Sequence, residues 1–119
     1  LDGLKAINDT FGHEEGDRAI VAIAKILKQT VRESDIVARI GGDEFAVLVS
    51  EAIEKNEVLR QRLDDQISRF NAAVGRQYRI SISVGTAIYD PTNPGSLDEL
   101  MATADRLMYV QKNRKIWKI

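Results

Sequence analysis

Two acids, Asp43 and Glu44, directly follow two glycines in the stretch RIGGDEFAVLV, Arg39 to Val49. Apolar runs flank them, DIVARI before and FAVLV after, so the four residues sit at a bend between two strand-like segments. A bend between buried strands has no need of adjacent carboxylates. Glycines there allow positive φ at no steric cost, and they let a bulky polyanion touch the backbone because no β-carbon intervenes. A carboxylate at the exit of the bend, Asp43, then stands beside such a ligand. Hard oxygen donors in this setting suit Mg²⁺, which takes one or two protein carboxylates together with phosphate oxygens. Taken alone, the same residues also read as a Gly-Gly turn with solvated acids.

A second polar group lies in INDTFGHEEGD, Ile7 to Asp17. Asn8 and Asp17 fall on either side of a tight, glycine-containing connection. An Asp carboxylate can accept from the two adjacent N–H groups on one edge of guanine, a pair that adenine lacks, and an Asn amide can donate and accept beside it. The structural alternative is that Asn8 ends a short helix and Asp17 caps the next. His13, the only histidine, is assigned the plain role of holding the loop through hydrogen bonds.

The elements that must position these residues are legible as periodicities. Gly16 to about Val31 reads as a helix, with Ile20, Ile23, Leu27 and Val31 in one stripe. Ile36–Ile40 and Phe45–Val49 read as strands. A long helix follows from about Glu51 to Val74, with the face Leu59, Leu63, Ile67 and Phe70. YRISISVGTAI alternates Tyr78, Ile80, Ile82 and Val84 against Arg79, Ser81 and Ser83, the pattern of a strand. DPTNPGS is a loop. A last helix starts near Ser96, its expected N-cap, with Leu97, Leu100, Met101, Ala104, Leu107 and Met108 as its buried stripe. Trp117, in the basic tail, is assigned to packing.

The order helix, strand, strand, helix, strand, helix predicts an α+β sandwich of the ferredoxin-like βαββαβ kind. That fold requires a strand before the first helix, where only Leu1 and Asp2 precede GLKAIND. The expectation is a single domain over residues 1–119, truncated at its first strand.

Composition narrows the function. The chain has 119 residues, 44% hydrophobic and 29% charged, in keeping with one soluble domain. Its net charge of -1, from 18 acids and 17 bases, argues against a nucleic-acid polymer as partner. Without cysteine, thiolate chemistry and cysteine-bound zinc are excluded. No apolar run approaches membrane-spanning length and no signal-peptide pattern opens the sequence, so no direct membrane contact is expected.

INDTFGHEEGD, RIGGDEF, SISVG and ATADRLMYVQK occur in this order at spacings that closely resemble the GGDEF family, the diguanylate cyclases, over essentially the whole chain. The resemblance implies a nucleotide-cyclase-like fold, similar to the catalytic core of adenylyl cyclases and of some polymerases. It implies one GTP per subunit and a homodimer. Each 3′-hydroxyl attacks the α-phosphate of the opposite GTP, which yields cyclic di-GMP and two pyrophosphates with Mg²⁺ (or Mn²⁺) as cofactor. An upstream sensory domain is expected in the parent protein. The location is expected to be cytoplasmic, or the cytosolic part of a membrane-anchored parent.

By the same resemblance, Asn8 and Asp17 match the guanine-reading pair, and Gly41 and Gly42 the loop against the nucleotide. Asp43 matches a metal ligand that activates the 3′-hydroxyl, and Glu44 a second metal carboxylate. The backbone carbonyl of Leu1 matches a further metal ligand. Lys112 matches a phosphate-binding lysine, and Lys5 and Arg39 match supporting basic positions. Another metal-binding Asp would lie two residues before Asp2, outside these 119 residues, so the fragment alone is expected to lack half of its metal site. Ile116 stands where the family often has a basic residue, with Arg114 and Lys115 close by. Arg32 and Asp35 of RESD match the family's inhibitory product site, with Arg60 or Arg62 as candidates for a second arginine. The plain reading of RESD is an exposed turn with an ion pair. The alternatives are an inactive GGDEF module that senses GTP or cyclic di-GMP, and a generic ferredoxin-like interaction domain.

Overall fold

Glycine sets the first boundaries of the chain. In the computed structural model, which describes residues 1–49, 56–73, 75, 77–88, 92 and 95–116, α1 (Leu4–Phe11) follows Gly3 at φ 69 and stops at Gly12, at φ 95. An L side chain is strained at these angles and glycine is not. The Gly12 N–H donates to the Asn8 carbonyl at 2.9 Å, and the Gly12 carbonyl accepts from Gly16 at 3.2 Å. The chain thus turns directly into α2 (His13–Thr30). This helix begins three residues earlier than its apolar stripe indicates. Glu14 and Glu15 occupy its first turn, where unpaired N–H groups and the helix dipole favour negative charge.

The chain divides into two compact units, Leu1–Ser81 and Ile82–Ile119. In the first, α1 and α3 (Asn56–Ala72) both pack on α2. The core holds Ile7, Ala19, Ile23, Ile26, Leu63, Ile67 and Ile80. The buried line of α2 is Gly16, Ala19, Ile23, Ile26 and Thr30, offset from the expected stripe: of Ile20, Ile23, Leu27 and Val31, only Ile23 is fully covered. Small residues at 16 and 19 admit a neighbouring helix closely, which turns that side of α2 inward. The Thr30 hydroxyl is satisfied by the Ile26 carbonyl at 2.6 Å. On α3, Leu63 and Ile67 are buried and Leu59 and Phe70 half-buried, as the pattern requires; residues 51–55 lie outside the described residues.

Strands β1 (Ile36–Gly41) and β2 (Glu44–Leu48) pair antiparallel, Ile36 with Leu48 through Arg39 with Phe45. The register then shifts, so that Gly41 faces Glu44 and Ile40 is the extra residue of a bulge.

The expected strand from Tyr78 is not part of a sheet, and among the described residues β1 and β2 form the only one. A strand needs a backbone ladder, and here the partners are side chains. The Asn71 amide takes both backbone groups of Ile80, accepting from its N–H at 2.7 Å and donating to its carbonyl at 2.8 Å. One ladder-like bond remains, from the Asp2 N–H to the Ser81 carbonyl at 2.7 Å, beside a Ser81 hydroxyl to Asp2 carboxylate bond of 3.2 Å. The described architecture is therefore α+β with a two-stranded sheet. The alternation persists in burial at Ile80, but Ser83, expected on the polar side, is buried.

The second unit holds the segment from Ile82 and the helix α4 (Leu97–Ile116). Ser96 caps α4 as expected: its hydroxyl accepts from the Glu99 N–H at 3.1 Å. Gly85 lies so close to α4 that a Cβ would sit 2.9 Å from the Ala104 carbonyl carbon, and the Val84 N–H bonds the Gln111 side chain. The expected stripe is only partly covered. Leu100, Ala104 and Met108 are half-buried, whereas Leu97, Met101 and Leu107 are exposed. A single segment crossing α4 covers one i, i+4, i+8 line rather than a full face.

Candidate functional site

The hairpin tip is built by β1, β2 and one arginine. Arg39, on β1, donates from Nε (3.2 Å) and Nη2 (2.8 Å) to the carbonyl of Gly42, closing a fork on the turn. On the other side, the Leu1 backbone nitrogen donates to the Asp43 carbonyl at 2.9 Å. Asp43 is half-buried and Glu44 exposed. Gly41 and Gly42 do not supply the positive φ expected of them: the positive-φ glycines among the described residues are Gly3, Gly12 and Gly75. The bulge lets the turn close with ordinary angles. Nor does packing require glycine, since a Cβ at either position would meet nothing within 4 Å. What the two glycines leave is open space along the backbone beside two carboxylates.

The Asn8–Asp17 group is built by the α1–α2 connection. Asn8 is half-buried inside α1, and its side chain lies over Gly16, the residue before Asp17. Asp17 is exposed and lies within α2, behind the N-cap residue Gly12, so its carboxylate is not the helix cap that the structural alternative assigned. His13 is exposed at the start of α2 and makes no side-chain hydrogen bond among the described residues. The loop is held instead by the two Gly12 backbone bonds. Sequence reasoning missed a further brace. The Phe11 and Tyr78 rings meet at 5.4 Å, and the Tyr78 hydroxyl donates to the Glu15 carbonyl at 3.0 Å, while Glu15 pairs with Arg18. No local pattern signals such a contact, because its partners lie 63 positions apart.

Lys5 is exposed on α1, and Lys112 is half-buried on α4 in the second unit. The RESD segment is a closed turn: the Arg32 N–H donates to the Asp35 carboxylate at 3.0 Å, and the Asp35 N–H to the Arg32 carbonyl at 3.0 Å. Arg60 is exposed, and Arg62 lines a shallow cleft of about 140 Å³ between α2 and α3 with Thr30, Asp65 and Arg69.

The described residues gather no group of three or more His, Asp or Glu that could hold a metal by itself. The donors present at the tip are the consecutive carboxylates of Asp43 and Glu44, with Leu1 tied to Asp43 through its backbone. Both carboxylates are hard oxygen donors, and Mg²⁺, which retains water and phosphate ligands, needs no more than one or two of them. The donor set fits that ion.

The profile of the diguanylate cyclase GGDEF domain matches residues 1–116. The chain is 40% identical over 116 residues to the bifunctional diguanylate cyclase/cyclic di-GMP phosphodiesterase MucR of Pseudomonas aeruginosa, covering 96% of this chain and 17% of that protein. It is 35% identical over 127 residues to the diguanylate cyclase DosC of Escherichia coli, covering 99% of this chain and 27% of that one. The chain thus spans between a sixth and about a quarter of the length of these curated relatives. Among solved structures it is similar to the GGDEF domain of DgcB from Caulobacter crescentus in complex with cyclic di-GMP, with a TM-score of 0.76, 28% identity, and coverage of 94% of this chain and 67% of that one.

Proposed function

The chain belongs to the diguanylate cyclase GGDEF family, and on that premise we propose that it is the catalytic domain of a protein that condenses two GTP into cyclic di-GMP. The single observation that carries this reading is the hairpin tip. Gly41 and Gly42 answer no demand of the backbone or of packing, yet they open the surface directly before two carboxylates. That is the arrangement a triphosphate needs in order to lie on a backbone.

In this reading the phosphates lie along Gly41 and Gly42, and Asp17 accepts the paired N–H groups of guanine with Asn8 beside it. The Asp43 and Glu44 carboxylates and the Leu1 carbonyl would hold the divalent ion. When bound, Mg²⁺ supplies charge neutralisation at the phosphorus and acidifies the attacking hydroxyl. Asp43 takes the 3′-hydroxyl proton as the new 3′-O–Pα bond forms and the Pα–O bond to pyrophosphate breaks. A second copy of the domain carries the other GTP, so the exchange occurs twice and holding both substrates in line is the protein's main task. Lys112 and Lys5 are assigned to the phosphates. Arg39 supports the tip through Gly42. Arg32 and Asp35 are assigned to binding the product, cyclic di-GMP, as an inhibitor; the DgcB structure holds that molecule.

The test uses the complete protein with GTP and Mg²⁺, followed by chromatography for cyclic di-GMP and pyrophosphate. Product is expected from the wild type and at least a hundredfold less from Asp43→Ala, the scale of a lost proton-transfer group. Undiminished product from Asp43→Ala would refute the assignment. GTP binding without product in the wild type would favour the sensor module instead.

A further inference from the structure

We infer that Gly16 is a positioning residue for nucleobase recognition, holding the Asn8 amide in place by having no side chain of its own. The inference rests on the guanine-reading role proposed for Asn8 and Asp17.

Gly16 is buried in the first turns of α2 and has helical geometry, so its backbone angles do not require glycine. Its surroundings do. A Cβ at this position would overlap the Asn8 carboxamide, falling 2.8 Å from Cγ and closer still to Oδ1. The backbone around this contact is fixed at four-residue intervals, with the Gly12 N–H on the Asn8 carbonyl at 2.9 Å and the Gly16 N–H on the Gly12 carbonyl at 3.2 Å. The Asn8 backbone is therefore held from one side, and its side chain rests on the bare Cα of Gly16.

The clash partner is the far end of a side chain, not backbone. A methyl at 16 can be accommodated by swinging the Asn8 amide to another rotamer, a change of χ angles that leaves the helices where they are. Folding is then largely preserved while the amide leaves the place from which it reads the base. Asp17 follows Gly16 directly in α2, so the residue on which the Asn8 amide rests adjoins the second base-reading residue along the chain. Close approach is its use, as at any position where a backbone must admit a neighbour.

The experiment measures calorimetric binding of a non-hydrolysable GTP analogue and of its ATP counterpart to the complete protein and to Gly16→Ala, Asn8→Ala and the double variant. Gly16→Ala is expected to weaken the GTP analogue roughly fivefold, the factor of one lost hydrogen bond, and to reduce the preference over ATP. Asn8→Ala should do the same, and the double variant should be no weaker than Asn8→Ala, because one amide is lost in each. If Asn8→Ala weakens GTP and Gly16→Ala does not, the positioning role is refuted while guanine reading stands. If Asn8→Ala leaves the GTP preference intact, guanine reading fails and the inference falls with it. Should Gly16→Ala alone not fold, the double variant decides, since the overlapping atoms are gone. A folded double variant that binds like Asn8→Ala supports the inference, and one that remains unfolded places the clash elsewhere and overturns it.

Discussion

Replacing Gly42 with alanine separates the demands of the fold from those of a ligand. In the native state the added methyl meets no atom within 4 Å, and Gly42 is not at positive φ. The native state therefore gains neither a clash nor backbone strain. The unfolded chain loses freedom, which stabilises the protein by about 0.4–1 kcal/mol. For a domain of this size, with an unfolding entropy of roughly 0.25 kcal/mol per kelvin, that raises the melting temperature by about 2–4 °C. The same methyl stands where the proposal lays phosphates on the backbone, so GTP-analogue affinity should fall at least tenfold, or about 1.4 kcal/mol. Thermal melting and analogue calorimetry on the same preparation read both numbers. Gly12→Ala supplies the contrast, since a side chain at φ 95 is strained and should lower the melting temperature. A Gly42→Ala protein that melts lower than wild type would refute the claim of open space. One that is more stable and binds the analogue unchanged would refute the claim that the space serves a nucleotide.

Two further outcomes follow from the geometry. Asn71→Ala leaves the N–H and carbonyl of the buried Ile80 without their amide partner and should cost about 1–3 kcal/mol, read as a lower urea midpoint at unchanged m; an unchanged midpoint would show the amide to be replaceable by water. Arg32→Ala should raise the concentration of added cyclic di-GMP needed for half-inhibition, because the guanidinium assigned to the product is gone; an unshifted inhibition curve would remove RESD from the account.

Local chemistry was the legible part of this chain. The Ser96 cap, the β1–β2 hairpin and the apolar face of α3 each depend on residues within one or two turns of one another, so their spacing carried them. The α2 stripe was misread by one position because glycine, alanine and threonine carry little hydropathy, although they form the buried line at 16, 19 and 30. The segment from Tyr78 has a strand's alternation, but alternation does not say which backbone or side chain supplies the partner, and here Asn71 does. At the hairpin tip, the turn falls at the two glycines as expected, but of the two reasons offered for them positive φ does not hold. A bulge at Ile40, which depends on pairing register, removes the need for positive φ. The fork from Arg39 to Gly42 was invisible for the same reason, since a basic residue at a strand end has many possible partners.

That fork has a kinetic meaning. A glycine pair at the end of a hairpin would ordinarily wander among many conformations, and a ligand would have to freeze them on arrival. With two N–H groups of one guanidinium anchored on the Gly42 carbonyl, the chain freezes them during folding. On the proposed function, an arriving nucleotide then meets a tip already held in one arrangement, and less of its interaction energy goes into ordering the protein. Loosening that anchor should therefore show itself as a slower, entropically costlier association, even where every group that touches the guest is intact.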